Sequence, residues 1–162
     1  MENNPYQAPV AAINEVLDDA LASRWERFLA AFVDGIILLL ILVPLMFATG
    51  YFEKAASGQL GFGTTLAYGI GSFILFLLVQ GYPLSQSAQT WGKRIVGIRI
   101  AMMDGAQAPF GTIVLKRYLP VNVVGSLPFL GPILSFVNVL LIFRGDRRCG
   151  HDLIAGTQVL KN

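Results

Sequence analysis

A single acidic residue, Asp34, interrupts an otherwise uncharged apolar run from Phe28 to Val43. With its flanks, that run is long enough to cross a bilayer core. A carboxylate at such depth costs roughly 2.5–3.5 kcal/mol on insertion scales, so an intramembrane Asp calls for a functional or pairing role. Arg27 precedes it by two helical turns, on the same face, with Asp34 about 10 Å deeper. One reading makes the pair an ion or proton site, with Arg27 as the electrostatic partner. Burial raises a carboxyl pKa and a nearby cation lowers it, so such a group can exchange a proton for a cation. The other reading pairs Asp34 with an Arg from another element, as a lock on the helix bundle.

Composition agrees with a membrane setting. Only 14% of the 162 residues are charged and 54% are hydrophobic, whereas a soluble domain is about 25% charged. The length accommodates one domain: a disordered polar tail over 1–22 and a membrane domain over 23–162. The net charge of +2 is small, and the basic residues flank apolar segments instead of forming a stripe, so no nucleic-acid partner is expected. Cys149 is the sole cysteine, which excludes an intrachain disulfide. The first twenty residues lack the basic start and apolar centre of a signal peptide, leaving targeting to the first membrane helix.

The pattern predicts helix 1 from about Arg24 to Thr49, with Pro44 a potential kink, and helix 2 from about Thr64 to Leu84. Residues 50–63 read as a loop. Ile95 to Ala101 reads as a short strand followed by an Asp104-Gly105 turn, and is expected to pair with Gln158 to Lys161. Residues 111–118 read as amphipathic. A third apolar stretch, Leu119 to Phe143, is broken by Gly125, Pro128, Gly131 and Pro132.

Of the 12 Lys and Arg residues, only Lys54 lies in the 50–63 loop. The positive-inside rule therefore puts that loop outside and both termini in the cytoplasm. The third stretch must then enter and return, as a re-entrant loop or a hairpin of short helices, under protein cover. A plain third span with an external C-terminus is the alternative.

Other polar residues have two readings each. Gly92-Lys93 lacks the spaced glycine and the strand-to-helix frame of a phosphate loop. Trp91 is better read as an interface anchor, with Lys93 and Arg94 at lipid headgroups. Cys149, His151 and Asp152 are too few ligands in one short loop for a metal, and no third group completes a nucleophile pair. Asp152 is read as a cap or pairing group, while His151 could titrate near neutral pH. Gln80, Asn122 and Asn138 are secondary candidates, as cation ligands or as hydrogen-bonding partners of neighbouring helices. No cofactor, metal or enzymatic reaction is indicated.

Arg27-x-x-Ala30-x-x-x-Asp34, then Gln89-Thr90-Trp91-Gly92-Lys93-Arg94-Ile95-Val96-Gly97-Ile98-Arg99, then Asp104-Gly105 and His151-Asp152-Leu153-Ile154-Ala155-Gly156-Thr157 together resemble the RDD family of small bacterial membrane proteins. The resemblance spans about residues 24–160. The family is named for one arginine and two aspartates, which implies Arg27, Asp34 and Asp152 here. It also implies a cytoplasmic-membrane protein with a proposed transport role. Some members resemble sodium/proton antiporters and others have no known transport activity.

The expected architecture is an all-α membrane protein. It has two transmembrane helices plus a Gly/Pro-broken re-entrant or helical hairpin, and a small cytoplasmic β element. The expected function is cation/proton exchange or small-solute transport in the bacterial inner membrane, by a homo-oligomer, with a monovalent cation or proton at Asp34. The competing class is a non-transporting scaffold that binds a partner protein through its cytoplasmic face.

Overall fold

The computed structural model describes residues 20–127 and 130–162. Most of the expected tail, and Pro128 within the expected break, lie outside these residues.

Helix α1, Arg24–Ala48, starts at a capping box. Ser23 Oγ accepts from Glu26 N at 3.2 Å, and the Glu26 carboxylate accepts from Ser23 N at 2.6 Å. These bonds satisfy amide groups that a helix start leaves open. The residues just upstream are not a continuation of this helix. Leu21 bridges to Leu160, and Ala22 N donates to Val159 O at 2.9 Å. Pro44 lies inside α1, yet the helix runs on to Ala48.

The loop that follows contains one short helix, α2, Tyr51–Ala56, entered through Gly50 at φ +67°. Helix α3 spans Phe62–Ser87 and is longer than its apolar pattern suggests. Ser85, Gln86 and Ser87 extend it to a left-handed cap at Ala88, whose N–H bonds to Leu84 O. Among the described residues, helices α1 and α3 are the two long enough and apolar enough to cross a membrane. They run antiparallel. Tyr68 Oη donates to Thr49 Oγ1 at 2.7 Å near one end, and Gln80 Nε2 donates to Asp34 Oδ1 at 2.9 Å near the other.

After α3 the chain turns back as α4, Trp91–Val96, which packs on α1. Thr90 is its N-cap, and Gly97 ends it at φ +80°, a conformation suited to glycine. Strand β1, Ile98–Met102, pairs antiparallel with β2, Thr157–Lys161, placing Ile98 opposite Lys161 and Met102 opposite Thr157. The expected pairing is present, but the strand begins at Ile98 because Ile95 and Val96 complete α4. The turn forms as read: Asp104 Oδ1 accepts from Ala106 N at 2.9 Å, and Gly105 has φ +83°.

The third apolar stretch is helical from further upstream than expected. Helix α5, Phe110–Thr112, leads through a π-helical turn, Ile113–Tyr118, into α6, Leu119–Gly125. Helix α7, Leu130–Leu140, follows the break and ends in a 3₁₀ turn, Leu141–Phe143. At their contact a Cβ on Gly131 would lie 2.6 Å from Gly125 O, so only glycine fits. The last helix, α8, Gly150–Ala155, packs against both α7 and the π turn.

The closely packed interior lies at the Arg24 end of α1. Leu84, Ala88, Ile100, Ala108 and Ile113 form one cluster, and Ala22, Ala30, Ile98 and Val159 another. Away from it, α1 and α3 turn large side chains outward, with Leu40 72% and Leu78 76% exposed. Such a surface suits a lipid environment and not water.

Candidate functional site

Asp34 is clamped where α1, α3 and α4 meet. Its Oδ1 accepts from Gln80 Nε2 at 2.9 Å and from Gly92 N at 2.8 Å, and its Oδ2 accepts from Thr90 Oγ1. Gln80 is fully buried, and its orientation is fixed from behind, because its Oε1 accepts from Trp91 N at 2.8 Å. Trp91 is itself tied to α3 by Nε1 donating to Val79 O at 2.8 Å. Gly92 makes the close approach possible: a Cβ there would stand 2.1 Å from Ala30 O and 2.9 Å from Asp34 Cγ. The Asp34 carboxylate is half-buried, and among the described residues no basic side chain is in ion-pair range of it.

Arg27 turns elsewhere. Its Nη2 donates to Asp152 Oδ2 and its Nη1 to the carbonyl of Arg147. Arg117 Nη1 donates to the other carboxylate oxygen, Oδ1, and to Thr157 Oγ1 at 2.8 Å. Cys149 N donates to Asp152 Oδ2 at 3.1 Å, and Thr157 Oγ1 to Oδ1 at 3.2 Å. Asp152 thus ties α1, the π turn, α8 and β2 together. The π turn directs Arg117 inward while Lys116 stays exposed. Burial opposes ionisation of Asp152, but the Arg117 and Arg27 guanidiniums outweigh it and hold the carboxyl far below the usual range.

The neighbouring groups are uncharged. Burial, reinforced by Arg117, pushes the His151 imidazole down to about 3. Asn138 holds it, with Oδ1 accepting from His151 N at 2.9 Å and the amide 3.1 Å from Nδ1. Burial pushes the Cys149 thiol up. Cys149, His151 and Asp152 bring one potential ligand atom each within 4.8 Å of one another. Both Asp152 oxygens are committed to guanidiniums and the thiol is held protonated, so the trio does not fit a metal cation.

The model of the RDD family matches residues 21–156. The chain belongs to the RDD family. It is 35% identical over 139 residues to the uncharacterized protein YckC of Bacillus subtilis (strain 168), covering 85% of this chain and 83% of that protein. It is 28% identical over 144 residues to an uncharacterized protein of Haemophilus influenzae, covering 88% and 80%. No solved structure matches.

The three residues implied by the RDD resemblance fall into two groups. Arg27 and Asp152 pair, while Asp34 belongs to the separate clamp. This corrects the expectation that Arg27 is the partner of Asp34: although the two share a helix, the guanidinium reaches α8 instead. Gln80 joins Asp34, and Asn138 joins His151. Asn122 accepts from Ser126 Oγ through its backbone carbonyl at 2.8 Å, and its side chain belongs to neither group. Lys93 and Arg94 separate. Arg94 is exposed, 5.8 Å from the Trp91 ring centroid, whereas Lys93 is buried. Nor is His151 a neutral-pH titrating group, given its depressed pKa.

Thr90, Gly92, Arg117 and Thr157 are the members of these groups that the sequence does not mark as site residues, although Thr90, Gly92 and Thr157 fall in the motifs that resemble the RDD family. Thr90 before Trp-Gly-Lys has an N-cap signature that was available. Arg117 had a weaker signal, as a basic residue at the edge of an apolar stretch.

Proposed function

We propose that this RDD protein is a multi-pass protein of the bacterial cytoplasmic membrane that exchanges a monovalent cation, or a small solute, for a proton at Asp34. The observation that carries this reading is the state of the Asp34 carboxylate. It accepts three hydrogen bonds from uncharged donors and has no ion-pair partner among the described residues. Fixed dipoles solvate the charge without neutralising it. With Arg27 committed to Asp152, no cationic side chain among the described residues pairs with Asp34. A carboxylate offers about four lone-pair sites, so three donors leave room for a proton or one cation contact.

In the same reading both termini are cytoplasmic, since Lys54 alone of the basic residues sits in the loop between the spans. The break between α6 and α7 turns a re-entrant or hairpin segment back to the cytoplasmic side. Two spans and two short helices enclose little of a pathway, so the working unit is a homo-oligomer in the bilayer.

A second reading rests on the tight contact at Gly92. If α1 and α4 never separate, Asp34 is a permanent lock, and the protein is a scaffold that recruits a partner through its cytoplasmic face. Flux in proteoliposomes with a panel of cations at two pH values, for wild type and Asp34→Asn, separates the readings. Exchange predicts that Asp34→Asn stays folded and loses pH-dependent flux. Normal flux in a well-folded Asp34→Asn protein would sink the exchange reading. A wild type without flux, together with a destabilised variant, would favour the scaffold.

A further inference from the structure

One face of α3 joins Asp34 to the opposite end of the membrane-length helices. Thr65, Gly69, Phe76 and Gln80 follow at intervals of four, seven and four residues, so they form one stripe along the helix. At one end Gln80 holds Asp34. One turn further, Phe76 packs against Tyr118 of the π turn, with ring centroids 4.7 Å apart. Gly69 is met by Ser126 at the end of α6: a Cβ on Gly69 would lie 2.7 Å from Ser126 Oγ. Beyond that contact, a cavity of about 440 Å³ is lined by Leu60, Phe62 and Thr65 on one side and by Gly125, Ser126 and Pro132 on the other. Gly69 adjoins Tyr68, whose bond to Thr49 marks the far end of α1 and α3. From Gln80 to Gly69 the helix rises about 16 Å.

The stripe is covered by one continuous piece of chain. The π turn lays Tyr118, and α6 lays Ser126, on α3. The two rings lie on the stripe between Gln80 and the hydroxyls of Thr65 and Ser126. They are held there by packing: Phe73 stacks on Phe76 at 6.1 Å, and both Phe76 and Tyr118 rest on the buried cluster of Leu84, Ile100 and Ile113. π-Helical turns occur preferentially at functional sites. This one carries Tyr118 next to Arg117, which Asp152 anchors.

We propose that Phe76 and Tyr118 form the seal that closes Asp34 off from the far end. The route of a proton or monovalent cation from that end runs along the α3 stripe when α6 separates from it. This rests on exchange at Asp34, which requires the carboxylate to be reached from both ends of the spans at different times.

Two experiments test the seal. Positions 69 and 126 offer a reversible lock, because Cβ atoms there lie 3.6 Å apart, within the range a disulfide spans. In proteoliposomes, oxidising Gly69→Cys/Ser126→Cys should lower exchange about tenfold, and reduction should restore it. The single variants should not respond. Full exchange in the cross-linked protein would overturn the route. The second readout does not depend on flux. A membrane-impermeant carbodiimide is added to vesicles on the side bearing residue 57, and modification of Asp34 is followed by mass spectrometry, with Asp34→Asn as the blank. Modification should be slow in wild type and in Tyr118→Phe, and about tenfold faster in Phe76→Ala and Tyr118→Ala. Leu78→Ala, at an outward-facing position, should match wild type. Phe76→Val and Tyr118→Val replace the alanine variants if those do not fold. A wild type without flux overturns exchange itself. Equal modification in wild type and the ring variants, or an equal gain in Leu78→Ala, overturns the seal even where exchange is intact.

Discussion

At the scale of single residues, Asp34 and Asp152 have different sets of partners. Asp152 is held by two guanidiniums with almost no solvent contact, so its removal leaves two buried cations uncompensated. Breaking a buried pair in this way costs about 3–5 kcal/mol. Asp152→Asn is therefore expected to lower the chemical-denaturation midpoint sharply, and adding Arg27→Gln should recover part of the loss. A double mutant no more stable than Asp152→Asn would contradict the pairing. Arg27→Gln should not rescue Asp34→Asn, because those two side chains do not meet. Gly92→Ala tests the clamp from the other side. Its Cβ would collide with Ala30 O at 2.1 Å, a backbone atom that cannot rotate away. Overpacking typically costs about 1–3 kcal/mol and occasionally more, and a backbone collision belongs at the upper end. Size-exclusion profiles should show little folded Gly92→Ala, and wild-type yield and stability would show that α1 and α4 are not in contact here.

At the scale of elements, α8 couples the network to pH through His151. Its folded pKa, about 3, lies below that of free imidazole. Between about pH 6.5 and pH 3 the unfolded chain therefore binds a proton that the folded chain refuses. This contribution is fully present above about pH 6.5 and falls as the pH drops. Asp152 acts in a lower window, below the ordinary carboxyl range, because its folded pKa is depressed. The unfolding midpoint should fall from pH 7 to pH 5 in wild type and fall less in His151→Gln. Equal slopes would remove His151 from the account.

The elements also show what could be read in advance. The apolar runs of α1 and α3, the β1–β2 pairing and the Asp104-Gly105 turn were legible, because each follows from local pattern and turn chemistry. The partner of Arg27 was not. It lies 125 residues away, and helical spacing offered the nearer Asp34 as a plausible substitute. The inward turn of Lys93 was equally hidden, since Lys93-Arg94 beside a Trp reads as an interface anchor. The π turn that buries Arg117 leaves no mark in composition.

At the scale of the whole molecule, a polar, well-packed end carries two apolar helices that turn their side chains outward. If the basic end is cytoplasmic, a reporter fused at residue 57 and one at the C-terminus should label opposite sides of the membrane. Labels on one side would remove the returning path proposed for α6 and α7 and would reopen a third full span. The central claim, that Asp34 carries a charge open to exchange, is tested most directly by isotope-edited infrared spectroscopy of the Asp carboxyls in wild type and Asp34→Asn. The account predicts a protonated-carboxyl band that appears on acidification, is absent from Asp34→Asn, and is suppressed when the transported cation is raised at fixed pH. A carboxylate at Asp34 that responds to neither pH nor any monovalent cation would contradict the claim and leave Asp34 as a structural lock.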